Sequence, residues 1–130
     1  MTSEVIFFDV NGEEITTVDV AVADDPQSRY NGLSNVSELQ SGEGMLFLYQ
    51  EEDYRSFVMR DMEFDLDIIF ADREGAITEI HEAVEPAEGQ TDRTLTEYEG
   101  LAQAVVEVPA GFCVQHGIEP DGYIKVLLYD

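Results

Sequence analysis

Arg29 and Arg60 are two of the few basic residues in a chain that has 6 Lys and Arg against 29 Asp and Glu. The guanidinium group of Arg presents a planar fork of N–H donors that matches a carboxylate or a phosphate. Arginines retained in so acidic a chain are therefore candidates for holding a small anion. The alternative is that neighbouring Asp and Glu side chains consume both guanidinium groups.

The stretch Ser56 to Asp72 places Arg60 and Asp67 among apolar residues. Strand alternation predicts a hairpin of 57–60 and 66–71 in which both charges lie on one face. If the pair is buried it is structural, because each charge then needs the other. Otherwise the hairpin borders a cleft for a small ligand, formed by Arg60 and Asp67 with Phe57, Met59 and Asp61, and with Tyr54 nearby.

Three carboxylates close together, Asp61, Asp65 and Asp67, could perform acid–base catalysis. No Ser–His or Cys–His arrangement accompanies them, and acidic side chains are expected over the whole surface of this chain. An enzyme based on these carboxylates is therefore the alternative to a binding module, and the sequence announces no reaction for it.

The segment Glu79 to Glu82 could hold a divalent metal. Glu79 and His81 share a strand face, and Asp72 or Glu82 could supply a third ligand for zinc or manganese. The alternative is an ordinary solvent-exposed face, which we favour, so we predict no metal and no cofactor. Cys113, the single cysteine, has no basic neighbour and is predicted to be a buried structural thiol.

The net charge of −23 bounds the partners of the protein. An acidic surface with one lysine, Lys125, repels itself in dilute buffer, whereas molar salt removes most of that repulsion. The composition therefore indicates adaptation to a salty cytoplasm, and the N-terminus lacks the basic start of a signal peptide. Phosphate backbones and anionic lipids do not attract such a surface, so we expect neither nucleic acid nor membrane as a partner. A monomer that binds a small molecule or an anion is favoured.

Hydrophobic alternation and turn residues predict a mainly β protein, a single domain over residues 1–130. About seven short strands and two short helices indicate an antiparallel barrel or barrel-like sheet. The first hairpin turns at Asn11-Gly12 as a type I′ turn, and residues 85–100 form a polar loop. The other predicted strands are 42–50, 57–60, 66–71, 76–84, 101–108 and 123–130, and the helices lie in 24–34 and 109–117.

A series of short motifs then follows in order along the chain: Arg29, Gly32-Leu33, Gly44-Met45-Leu46-Phe47, Phe57, Met59, Leu66-Asp67-Ile68, Phe70, Asp72, Glu107, Ala110-Gly111 and Gly117-Ile118. Over roughly residues 18 to 128 this series resembles the domain of unknown function 192 family, in a haloarchaeal-type form. The resemblance implies a compact, mostly β fold with a small helix after the first hairpin. It implies no activity.

The chain departs from the family pattern in the loop around Arg60. Val58 stands where the family usually has Trp, Arg60 where Lys is commoner, and Asp61-Met62 where Asn-Thr is usual. The resemblance therefore carries no chemistry of this loop over to this chain.

Overall fold

The computed structural model describes residues 3–34, 36–87 and 95–129, and these contain seven strands and two short helices. The mainly β prediction is confirmed. Residues 88–94 of the predicted polar loop lie outside the described residues. In chain order the elements are β1 (Ser3–Phe8), β2 (Glu14–Ala23), α1 (Pro26–Asn31), β3 (Glu43–Phe57), β4 (Leu66–Ala71), β5 (Ile77–Val84), β6 (Tyr98–Pro109), α2 (Phe112–His116) and β7 (Tyr123–Leu127).

The described strands form one sheet in the order β5-β4-β6-β3-β2-β1-β7. Its neighbouring strands are antiparallel apart from β2 and β3, which run parallel with Asp19 opposite Glu43 and Ala23 opposite Phe47. The prediction of a purely antiparallel sheet is therefore wrong. The reason is the connection between these two strands, which includes α1 and is long enough to return the chain to the starting end of the sheet.

The first hairpin has a longer turn than predicted. Strands β1 and β2 pair up to Phe8 opposite Glu14, so residues 9–13 form the connection. Gly12 has a φ of 81°, but Asn11 is not left-handed, so the pair does not form a type I′ turn. The carboxylate of Asp9 accepts the N–H groups of Asn11 and Glu13, each at 2.9 Å, and these bonds hold the wider loop.

The sheet curls into a half-barrel whose two edge strands meet at one end. The N–H of Ile77 donates to the carbonyl of Gly122 at 3.0 Å, and the N–H of Ile124 donates to that of Gly75 at 2.8 Å. Alternate side chains point into the curl and form an inner core, which includes Val5, Phe7, Val18, Val20, Leu46, Ile69, Val106 and Val108.

Helix α2 packs against one end of this inner core. The ring of Phe112 lies 5.5 Å from that of Phe7, near the end of β1. Cys113 and Ile118 are buried in the same core. In the part of the chain that the structure describes, neither helix is long and apolar enough to cross a membrane.

A second apolar cluster lies on the outer face of the sheet. Its buried members include Leu33, Phe47, Met59, Ile68, Phe70 and Val105. The segments that follow α1 and β3 contribute to it, so these connections are packed parts of the fold.

The predicted hairpin of 57–60 and 66–71 does not form. Phe57 is the last residue of the long strand β3, and residues 58–65 lie outside the strands. Strand β4 pairs with β5 and β6. Asp61, with a φ of 56°, occupies a left-handed turn conformation that interrupts any strand there.

Candidate functional site

Helix α1 presents Arg29 to strand β3. The carboxylate of Asp25 accepts the N–H of Ser28 at 2.7 Å and so caps the helix. This hydrogen bond is the main reason that the pKa of Asp25 lies below its ordinary value. Nη1 of Arg29, in the next position, donates to the carbonyl of Leu48 at 2.8 Å. The cap and this bond together fix the position of the guanidinium group.

A bulge in β3 places a second arginine nearby. The register of β3 against β6 shifts between Leu48 and Asp53, so the residues between them leave the regular ladder. Arg55 follows the bulge and donates from Nε to the carbonyl of Ala102 at 3.3 Å. Its Nη2 donates to the carbonyl of Glu51, within the bulge.

The ring of Tyr49 lies next to both arginines. The Cζ atoms of Arg29 and Arg55 lie 4.7 and 3.9 Å from the ring centroid. Partial burial raises the pKa of Tyr49, while the charges of Arg55 and Arg29 act in the opposite direction. The neutral ring therefore offers its face to two cations.

We name this surface the arginine cleft; it has a volume of about 520 Å³ and its lining includes Asp24, Asp25, Arg29, Tyr49, Glu51 and Arg55. Among residues 3–34, 36–87 and 95–129, no carboxylate oxygen lies within 4.0 Å of a nitrogen of Arg29 or Arg55. Two like charges are thus held near each other in a chain that has ample acids to neutralise them. The cleft can offer both to an anion.

A second cavity adjoins the arginine cleft. This mouth cavity has a volume of about 440 Å³. Its floor consists of inner-core residues of three strands, and Arg73 and Gln103 lie at its rim. Tyr49 borders both the mouth cavity and the arginine cleft. The floor residues are Leu48, Ala104, Ile124 and Val126.

The structure separates Arg60 from Arg29. Nη1 of Arg60 donates to the hydroxyl of Tyr30 at 3.1 Å, and its Cζ lies 5.4 Å from that ring. Arg60 and Asp61 line a smaller cavity of about 200 Å³. Arg29 and Arg60 therefore contact different aromatic rings, and the arginine that joins Arg29 is Arg55.

The apolar members of the predicted site are core residues. Met59 is buried, and the half-buried ring of Phe57 packs edge-on against Phe47 and Phe70 with centroids 4.9 and 5.7 Å away. Tyr54 is exposed and borders a different cavity.

Asp67 is fully buried, and its carboxylate accepts hydrogen bonds from two backbone N–H groups. Oδ1 accepts the N–H of Ala83 at 2.9 Å, and Oδ2 accepts the N–H of Cys113, near the start of α2, also at 2.9 Å. Ala83 has a φ of 52°, so the first bond holds an unusual backbone conformation in β5. The structural interpretation of Asp67 is therefore supported, although its donors differ from those predicted.

The other catalytic and metal-binding hypotheses gain no support from the geometry. Asp61 and Asp65 are exposed whereas Asp67 is buried, so the three carboxylates do not share one environment. Nε2 of His81 bonds to the carbonyl of Glu99 at 2.9 Å. Within the described ranges, no group of three His, Cys, Asp or Glu side chains could hold a metal ion.

Cys113 is buried, as predicted. Its burial, with the nearby Asp67 carboxylate, raises the pKa of the thiol far above its ordinary value. The thiol therefore stays protonated and unreactive at neutral pH.

Sequence reasoning did not select Arg55, Tyr49 or Glu107 as functional residues. The scarcity of basic residues could have identified Arg55, because each arginine that so acidic a chain retains is a candidate for a structural or binding role. Glu107 is 4 % exposed, and its carboxyl group receives no hydrogen bond from the described part of the chain. Burial raises its pKa to about 8.

Comparison with known proteins identifies one family and two solved structures that are similar to this chain. The model of the domain of unknown function 192 family, described as "Uncharacterized ACR", matches residues 6–126. The chain belongs to this family. The family description assigns no activity, and no curated protein matches the chain.

Two solved structures are similar to the chain. A "putative transcription regulator" from Sinorhizobium meliloti is 23% identical, with a TM-score of 0.86, over 97% of this chain and 94% of that one. A protein of unknown function from Novosphingobium aromaticivorans is 26% identical, with a TM-score of 0.82, over 94% of this chain and 83% of that one. The first likeness shows the fold alone.

Proposed function

We propose that this protein is a binding module that holds a small anion in the arginine cleft. The observation that carries the proposal is the pair formed by Arg29 and Arg55. Both guanidinium groups lie against the Tyr49 ring, and neither makes an ion pair with a carboxylate of the described residues. A bound anion would relieve the repulsion between them, since their charges act in a partly desolvated surface.

The hydrogen-bonding capacity of the two arginines supports this function. A guanidinium group has five N–H donors in a fixed plane. Arg29 uses one donor on the Leu48 carbonyl, and Arg55 uses two on the carbonyls of Ala102 and Glu51. These backbone bonds hold the groups in place and leave further donors for a ligand, which is the arrangement that a preorganised anion site needs.

The cleft differs in position from the site predicted beside 57–67. The Arg60 cavity is less than half the volume of the arginine cleft, and among the described residues Arg60 is the one arginine that borders it. The enzyme alternative lacks a supporting observation, because the predicted carboxylates do not converge. The binding function is therefore the better supported of the two.

We further propose that nucleic acid and membranes are not partners, and that the protein is an acidic, salt-adapted monomer of the cytoplasm, of haloarchaeal type. The net charge of −23 supports the first statement, since it opposes contact with phosphate groups. The name of the Sinorhizobium protein suggests DNA binding, and a fluorescence-anisotropy titration with duplex DNA tests that alternative. We expect no change in anisotropy at moderate salt, and saturable micromolar binding would contradict the proposal.

Isothermal titration calorimetry with potassium sulfate and potassium phosphate, at constant ionic strength, tests the anion site. We expect saturable binding that the double variant Arg29→Gln/Arg55→Gln loses. Lys125→Gln is the control, because Lys125 is an exposed cation that borders neither cavity. If the double variant and wild type bind sulfate equally, the proposed function is wrong.

A further inference from the structure

We infer that the anion is the acid group of a small amphiphilic molecule, such as an aliphatic carboxylic acid, whose apolar part occupies the mouth cavity. The inference rests on the proposed function and specifies its ligand. Tyr49 lines both cavities and its side chain packs on the outer cluster, so a molecule bound to Arg29 and Arg55 reaches the inner core by passing around β3 beside this residue.

The floor of the mouth cavity suits an apolar group. Leu48 and Val126 are partly buried against the inner core, and Ala104 and Ile124 belong to it. The volume, about 440 Å³, lies within the range of ordinary small-molecule sites, and such sites often occupy the mouths of barrels. Helix α2 packs on the same core through Phe112 and Cys113, which do not line this cavity.

The charges around the two cavities favour an amphiphile over a purely inorganic anion. Three of the five Lys and Arg residues in the described ranges, Arg29, Arg55 and Arg73, border the two cavities. However, five acidic residues border the two cavities as well, and the whole chain carries −23. They are Asp24, Asp25 and Glu51 at the cleft and Asp72 and Glu74 at the mouth cavity. Attraction by the arginines is thus opposed, and burial of apolar surface supplies binding energy that does not depend on charge.

The arginines select the acid group and the mouth cavity selects the apolar part. A neutral alcohol of the same length would leave the guanidinium donors without a partner and bind weakly. A longer chain on the acid would bind more tightly until the cavity is filled. The ligand class is therefore defined by both ends of the molecule.

Calorimetric titration with potassium acetate, butanoate, hexanoate and octanoate, at constant ionic strength and below micelle-forming concentrations, tests the inference. Each methylene that becomes fully buried should tighten binding by up to about fourfold. Ala104→Leu, which fills the cavity floor, should remove this dependence on chain length and leave sulfate binding unchanged. Val126→Thr is a second, shape-conserving variant that makes the floor polar and should weaken octanoate but not sulfate; circular dichroism checks that both variants fold.

The two ideas fail in distinguishable ways. Equal dissociation constants for acetate and octanoate, or unchanged octanoate binding in both floor variants, would overturn the inference while sulfate binding still supports the arginine cleft. Sulfate and octanoate titrations that are the same for the wild type and for Arg29→Gln/Arg55→Gln would overturn both. A chain-length dependence that the floor variants abolish, together with loss of all binding in Arg29→Gln/Arg55→Gln, is the expected result.

Discussion

At the scale of single residues, Asp67 and Glu107 are two buried acidic side chains with opposite surroundings. Asp67 receives two backbone N–H groups, whereas Glu107 lies between Met45 and Ile68 of the neighbouring strands. A charge in a dry environment is tolerated only where donors are supplied. The stability of the protein should therefore respond in opposite ways when each of the two carboxyl groups is replaced by an amide.

We expect Asp67→Asn to destabilise the protein by roughly 2–4 kcal/mol, since the amide replaces an acceptor with a donor that faces a backbone N–H. Asp65→Asn is the matched control, because Asp65 lies two residues away and is exposed, and its substitution replaces the same carboxyl group by the same amide. Denaturant unfolding at constant high salt measures both. Equal stability of the two variants would show that the bonds to Ala83 and Cys113 contribute little.

We expect Glu107→Gln to be more stable than the wild type, by an amount that grows as pH rises from about 5 to 8. The pKa of Glu107 is raised by burial from 4.5 to about 8. Over that interval the unfolded chain has lost the proton that the folded chain keeps, so ionisation favours unfolding by up to about 1.4 kcal/mol per pH unit. Above the folded pKa the difference levels off.

The measurement is the difference in unfolding free energy between Glu107→Gln and the wild type at several pH values and one salt concentration. The difference isolates Glu107 from the other 28 acidic residues, which both proteins share. A difference that stays constant with pH would mean that Glu107 titrates normally.

At the scale of elements, the arginine cleft depends on a six-residue helix and on one bulge. Helix α1 carries Arg29, and its first turn is held by the carboxylate of Asp25. So short a helix has little stability of its own, and its cap and its contacts must supply the rest. The position of Arg29 is therefore sensitive to a residue that need not touch the ligand.

We expect Asp25→Ala to lower the melting temperature and to weaken sulfate binding several-fold, because the helix frays and Arg29 loses its fixed position. Asp25→Ser is the matched control: it removes the same charge but keeps a good capping residue. Calorimetry with sulfate compares the two. If Asp25→Ala binds sulfate as tightly as Asp25→Ser, the cap does not position Arg29.

At the scale of the whole molecule, the strands could be predicted from the sequence but several of their partners could not. Alternation in β2 and turn residues around Gly75 mark elements locally. The parallel pairing of β2 with β3 depends on where α1 returns the chain, which no local pattern encodes. Which strands lie next to each other in the sheet is therefore known from the structure and not from local sequence patterns.

The candidate site was predictable only in part for the same reason. Arg29 was selected because basic residues are scarce, but its partner Arg55 comes close through a bulge that period-two alternation does not contain. The pairing of Arg60 with Asp67 assumed an unbroken strand, and the left-handed Asp61 breaks it. Asp67 kept its structural role with donors from the backbone, which a sequence does not display.

We expect the fold to depend on salt, since 29 acidic side chains repel one another at low ionic strength. Far-UV circular dichroism should show a clearly higher melting temperature in about 2 M KCl than in about 0.05 M, where the Debye length is several times longer. Sucrose at matched water activity controls for general solvent effects. Equal melting temperatures at the two salt concentrations would contradict adaptation to high salt.

The pairing of β1 with β7 has a consequence for the order in which the chain can fold. Val5 lies opposite Val126, so these neighbours in the sheet are 121 positions apart in the chain. During synthesis the β1 edge of the β1–β2 hairpin stays unpaired until β7 has left the ribosome. Closing so large a loop is slow, and an unpaired edge invites association with other chains. The chain is therefore most prone to aggregate before β7 pairs with β1 and completes the half-barrel.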